Sequence, residues 1–202
     1  MLDWIQRQPR EARGLDLGCG KLRYTVPLAR RITFVTAVDS AVQLNRRQRL
    51  FGRVRTVKDY ISATLPNVQA RSIDDRSWRQ KRYQIILCSN VLSAIPCRVT
   101  RRRIVRAAYK CLAPGGKLLL TTQYRNSHFD SWRHNRRAKR YLDGYLVKND
   151  KGVSFYGLID SKALNRLCTL CGFEVHDAGH ARELAYVVAG KTAKKSEMPS
   201  QT

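Results

Sequence analysis

Seven short apolar runs separated by turn residues and helical patterns constrain this chain more than any other feature. Read in order from Gly14 to Lys191 they are GLDLG, FVTAVD, NVQARSI, YQIILCS, GKLLLTT, FEVHDA and LAYVVAGK. Short apolar runs alternating with helical stretches predict strands joined by crossovers, hence an α/β fold with a doubly wound, mostly parallel seven-stranded sheet. At 202 residues and 43% hydrophobic content, the chain is long enough to bury one such core. The expected domain covers residues 1–191, and the polar 192–202 stretch is expected to form a disordered tail.

The first run ends in GLDLGCGKLRYTVPLA, with Gly18 and Gly20 one residue apart. A glycine bend between strand and helix lets backbone N–H groups approach a nucleotide or phosphate closely. A dinucleotide fingerprint would need a third glycine where Arg23 stands, which weakens a nicotinamide reading. Pro27 is tolerable only near a helix start, so the following helix is expected to begin late or to kink. Asp39 closes the second run 21 positions after Gly18, where an acid can bind ribose hydroxyls of any nucleoside cofactor. Taken alone, such an acid is more often a turn former or helix cap.

LAPGGKLLLTT, from Leu112 to Thr122, reads as a helix stop followed by a buried parallel strand. With D-L-G-C-G, the acid after the second strand and L-A-P-G-G in this order, the chain resembles the class I S-adenosylmethionine-dependent methyltransferases over residues 14–191. The resemblance implies a Rossmann-like sheet with an antiparallel last strand, and S-adenosylmethionine as cofactor. It places Asp16, Gly18, Cys19 and Gly20 around the methionine part of the cofactor, and Asp39 on the ribose. Ser40 and Ala41 would flank the adenine, and Asp74 would bond its amino group, with Asp75 competing for that role. Cys88, Ser89 and Asn90 would face both methionine and acceptor. The chain departs from the family pattern at Leu22, where a third glycine is common, and at Gln84, where an acid commonly begins the fourth strand.

Six cysteines without regular spacing suit reduced thiols. Cys168 and Cys171 lie in a helical pattern with no second pair, so core packing is expected rather than a metal site. No apolar run approaches the ~20 residues of a membrane span, and the first residues lack a signal-peptide core, so a cytoplasmic protein without membrane association is expected.

Charge sets this chain apart: 39 Lys and Arg against 15 Asp and Glu give +24. The cations gather in three blocks, 45–58, 97–110 and 124–141. In the second block a helix after Thr100 would carry Arg101, Arg102 and Arg103 in its first turn, against the helix dipole and available to an external anion. In the third, Tyr124, Trp132 and Tyr141 alternate with Arg125, Arg133, Arg136 and Arg137, beside His128. Arginines contact phosphates while aromatics stack on unpaired bases, so these residues are the candidate substrate contacts. The same pattern suits an ordinary lid whose Trp132 and Tyr141 pack inward. LDGYLVKNDKGVSFYGLID, residues 142–160, reads as a hairpin turning at 149–152, completing a lid insertion over 124–158.

Methyl transfer is an in-line displacement that needs a base only when the acceptor must lose a proton. Tyr124 and His128 are the candidates for that base. The loop Ser89-Asn90-Val91-Leu92 lacks the Pro-Pro-aromatic sequence of adenine-N6 enzymes. The expected function is methylation of a polyanion, RNA or DNA. The alternatives are a small-molecule acceptor and a non-catalytic nucleic-acid-binding module whose altered bend no longer holds cofactor. A protein partner or homo-oligomer would supply any recognition that the lid does not.

Overall fold

The structure, a computed structural model, describes residues 1–124, 132, 134–150 and 152–191. In chain order its elements are α1 (Leu2–Gln6), β1 (Arg13–Leu17), α2 (Thr25–Arg31), β2 (Phe34–Asp39), α3 (Ala41–Asn45), β3 (Gln48–Leu50), β4 (Arg53–Arg55), α4 (Val57–Thr64) and β5 (Val68–Ser72). There follow β6 (Tyr83–Ser89), α5 (Arg98–Cys111), β7 (Leu112–Gln123), β8 (Ala138–Tyr141), β9 (Gly144–Asn149), β10 (Gly152–Gly157), α6 (Ser161–Leu170), β11 (Glu174–Ala181) and β12 (Leu184–Gly190). Short 3-10 turns at Arg76–Gln80 and Leu92–Ala94 flank β6.

All seven apolar runs become strands of one sheet, ordered β11-β12-β7-β6-β1-β2-β5. The five strands from β7 to β5 are mutually parallel, and β12 runs antiparallel to both β7 and β11. Neighbouring residues serve opposite faces, as a sheet covered on both sides requires. Ile86, Cys88, Leu118 and Leu120 pack against α5 and α6 through Val105, Ala108, Leu164 and Cys168. Ile85, Leu87 and Leu119 share the other layer with Ile5, Val26, Leu28 and Ile61 from α1, α2 and α4. Cys168 and Cys171 are buried in the first layer.

Pro27 occupies the third position of α2, where an N–H has no intrahelical acceptor to lose, so the helix starts late as expected. The departure at Gln84 also has a physical role: its side-chain oxygen accepts the Arg13 amide at 2.8 Å, tying β6 to the start of β1.

Helix α5 corrects one expectation. It starts at Arg98 after Cys97, not after Thr100, and Arg101, four and seven residues before Val105 and Ala108, shares their buried face. Arg101 is consequently 4% exposed and unavailable to an external anion. Its guanidinium donates to both carboxylate oxygens of Asp143 at 2.5 and 3.0 Å and to the Ile95 carbonyl at 2.6 Å. Burial pushes the Asp143 carboxyl up, but the bonds and charge of Arg101, helped by Arg98, outweigh it and hold the group below the usual carboxylate range. Arg102 and Arg103 do face solvent.

The described part of 124–158 is a three-stranded antiparallel sheet, β10-β9-β8, with the hairpin turning between Asn149 and Gly152 as expected. Arg101, bonded to Asp143 and to the Ile95 carbonyl, fastens this sheet to α5 and to the turn after β6, and the Leu158 amide on the Asp143 carbonyl closes the base of the hairpin. The expected tail at 192–202 lies outside the described residues.

Candidate functional site

The sheet's order reverses at β1, which has β2 on one side and β6 on the other. Ligands of open α/β sheets bind in the crevice beyond the carboxyl ends at such a point. The glycine bend sits there. Gly18 has φ +86°, and a Cβ on it would meet Val91 Cγ2 at 2.1 Å, so only glycine fits. The Gly18 and Cys19 amides both donate to the Val38 carbonyl, at 2.7 and 3.0 Å, binding the bend to the end of β2. A Cβ on Gly20, by contrast, would meet nothing within 4 Å: the outer side of the bend is an open cradle.

Asp39 holds the cradle in shape. Its carboxylate accepts the Gly20 amide and the Ser40 amide, both at 2.8 Å. Ser40 caps α3 by accepting from the Gln43 amide, and the Gln43 side chain donates back to the Gly20 carbonyl at 2.7 Å. Asp16 lies beneath, 2% exposed, accepting the Thr25 hydroxyl at 2.6 Å. Burial raises its pKa to about 6; the Thr25 bond opposes the rise and the charge of Asp39 adds to it. Burial, then the charges of Asp16 and Asp39, also push the Cys19 thiol far up, so it stays protonated. Leu22, where relatives of this pattern often have glycine, keeps the left-handed conformation at φ 65° but turns its side chain fully into the core. The departure therefore leaves the cradle open.

Across the crevice, Asn90 follows β6 with φ 60°. Its amide bonds the Thr121 carbonyl at 2.8 Å, while its side-chain oxygen is buried with no donor among the described residues. An orphaned acceptor on a residue that lines the neighbouring cavity fits a bound ligand that brings N–H groups. Ser89 pairs with the Thr121 hydroxyl at 2.9 Å. Cys88 points into the core, where burial pushes its thiol up, so its side chain, contrary to expectation, does not face the crevice. Of the two acids after β5, Asp75 caps a 3-10 turn through the Ser77 amide and pairs with Arg71 at 3.3 Å. Asp74 is the exposed one.

Beside the bend opens a cavity of about 500 Å³ lined by Arg23, Tyr24, Asn90, Gln123, Arg182 and Glu183, with Ala181 and Leu184. Apart from Asn90, these residues escaped the sequence reading. Arg23 and Tyr24 were findable, since they follow the bend directly, but Arg182 and Glu183 arrive only through the antiparallel β11–β12 turn. Tyr124 is not among the lining residues; its ring packs 4.9 Å from that of His180 and against the α5 layer. Trp132 stacks inward on Tyr156 and Tyr145, at 4.6 and 6.1 Å, which is the ordinary-lid arrangement. Tyr141 is 44% exposed, and Arg136 and Arg137 face solvent. Arg125, His128 and Arg133 lie outside the described residues. The described residues hold no cluster of metal-ligating side chains and no helix long and apolar enough to cross a membrane.

Residues 1–178 match a family model described as a methyltransferase domain. An uncharacterized Escherichia coli K12 protein, YmfD, is 36% identical over 190 residues, covering 94% of this chain and 85% of its own length. Ubiquinone biosynthesis O-methyltransferase of Xanthomonas oryzae is 34% identical over 55% of the chain, which spans 43% of that enzyme. Among solved structures, a Pyrococcus horikoshii protein, PH0226, superposes with TM-score 0.73 at 14% identity, over 94% of this chain and 86% of its own. A Methanosarcina mazei S-adenosylmethionine-dependent methyltransferase gives 0.64 at 16%, over 93% and 95%.

Proposed function

The chain belongs to the methyltransferase-domain family and is an S-adenosylmethionine-dependent enzyme; on that premise we propose that it methylates an acidic hydroxyl of a small molecule. The cavity beside the cradle carries the reading: two guanidiniums, Arg23 and Arg182, sit with Tyr24, Asn90 and Gln123 around a space of small-molecule size. Positive charge beside a phenol-like hydroxyl favours its oxyanion, the nucleophile that methyl transfer needs. Glu183 at the same rim can take the departing proton, so neither Tyr124 nor His128 is required as base. The name of the ubiquinone-biosynthesis relative supports oxygen as the acceptor atom.

The open face of Gly20, the backbone of Gly18 and Cys19, and the carboxylates of Asp16 and Asp39 are the proposed holders of the cofactor, which supplies an electrophilic methyl group on a sulfonium. Asp39 would take the ribose hydroxyls, Ser40 and Asp74 the adenine end. Ser89 and the orphaned oxygen of Asn90 would close the site from β6. Alignment of oxyanion and methyl group between these walls supplies the acceleration.

A second reading, RNA or DNA as acceptor, keeps one observation in its favour. The groove between the Arg76–Gln80 turn and α5, about 400 Å³, is lined by Arg79, Arg103, Arg106 and Lys110 with no acid. Incubation with methyl-labelled S-adenosylmethionine and fractionated cell extract separates the two. Label is expected in the small-molecule fraction; label confined to nucleic acid, with affinity falling steeply with salt, would replace the first reading by the second. Asp39→Ala is the control, expected to abolish a thermal shift by S-adenosylhomocysteine of about 5–10 °C at a hundredfold excess over Kd.

A further inference from the structure

The sheet is covered unequally at its β7–β12 end. Ala185, Val187 and Ala189 of β12 face α6 and are 0% exposed. The alternate residues Leu184, Tyr186 and Val188 face the side of α1 and are only half-buried. Cross-strand pairing joins them to β7 as Val188–Leu119, Tyr186–Thr121 and Leu184–Gln123. All of these residues but Gln123 floor a groove of about 250 Å³, walled by Met1 and Trp4 of the first turn. Its floor grades along the strands from aliphatic at Val188–Leu119 towards Leu184, whose cross-strand partner Gln123 lies in the adjoining cavity.

The groove does not end blindly. Ala181 and Leu184 line both it and the cavity beside the cradle, and Gln123, the partner of Leu184, lines that cavity. An apolar trough thus opens into the polar chamber where Arg23, Asn90 and Arg182 converge. Asp177, held by the Tyr186 hydroxyl at 3.1 Å, is the one charged side chain among the described residues that line the trough. A trough of this volume is too small for a helix or strand of a partner, and its continuity with the chamber selects a molecule that occupies both.

Building on the small-molecule reading, we propose that the acceptor is amphipathic: its ionisable head lies in the chamber and an aliphatic tail runs down the groove over Leu184, Tyr186 and Val188. Burial of each methylene then adds about threefold to fourfold in affinity until the groove is filled. Such a gain is a property of the tail and does not depend on whether the head is turned over.

The test uses 4-alkylcatechols from methyl to octyl as probes, with dissociation constants measured by calorimetry in the presence of S-adenosylhomocysteine and methylation scored separately. Affinity is expected to climb from methyl to octyl by at least two orders of magnitude. Val188→Trp, which fills the aliphatic end, is expected to flatten that climb while retaining the S-adenosylhomocysteine thermal shift. Should that variant not fold, Val188→Lys serves the same purpose. No gain from butyl to octyl, whether or not the head is methylated, overturns the groove assignment; methylated heads without a tail effect leave the small-molecule reading intact. A climb that Val188→Trp does not flatten also overturns it, as does self-association of the protein that this substitution abolishes, since a second copy then occupies the groove.

Discussion

The two sides of the crevice are built in contrasting ways. On the proposed cofactor side, Gly18, Gly20, Asp39 and Ser40 each lie at the end of a strand or in the bend that follows it, locked by short bonds between neighbouring βα units. On the proposed acceptor side, Arg23, Asn90, Gln123 and Arg182 come from four separate stretches, and the adjoining groove is lined by Met1 and Trp4 together with Leu184. The first side is fixed by local geometry; the second by long-range docking of β12 and α1, with the β8–β10 sheet packed nearby on the Leu92–Ala94 turn. Cofactor chemistry shared by a family can be held by a compact local frame, while acceptor choice is left to elements that vary independently of it.

The largest test of this contrast is Arg101→Ala. It leaves Asp143 partly buried without its main partner, at a cost of about 3 kcal/mol or more in urea unfolding. The damage is expected to loosen the β8–β10 sheet, while S-adenosylhomocysteine affinity in the folded protein stays within twofold. Loss of cofactor affinity would show that the two sides are not separable.

Gly18→Ala probes the opposite side. The forced contact with Val91 and a left-handed φ together are expected to cost about 1–3 kcal/mol and to remove the S-adenosylhomocysteine thermal shift. Val91→Ala in the same chain should recover part of the stability, because it relieves the contact but not the backbone. Full recovery would mean that φ carries no strain here.

The smallest expected effect is electrostatic. With Asp16 at about 6 in the folded protein against roughly 3.9 unfolded, the native state holds an extra proton between these values. Its stability contribution is therefore full below pH ~4 and falls as pH rises through 6. A cationic cofactor favours the ionised carboxylate, so S-adenosylmethionine should bind about tenfold more weakly at pH 5 than at pH 7.5. Asp16→Asn should flatten that dependence; a tenfold slope persisting in the variant would assign it to another group.

What was legible in the sequence follows from the range of the forces involved. The seven strands, the late start of α2 at Pro27 and the turn at 149–152 are set by periodicity and by backbone chemistry within a few residues. The bend and Asp39 were legible because a strand end and the following turn are contiguous. Arg101 was misplaced because a first-turn cation reads locally as a solvated one, whereas its spacing puts it on the Val105–Ala108 face, and only its distant partner Asp143 makes burial there stable. The acceptor chamber, the groove along Leu184, Tyr186 and Val188, and the orphaned oxygen of Asn90 were beyond local reading. They exist because an antiparallel strand returns beside β7 and leaves one face half-covered, a choice made by packing between distant elements that no local pattern encodes.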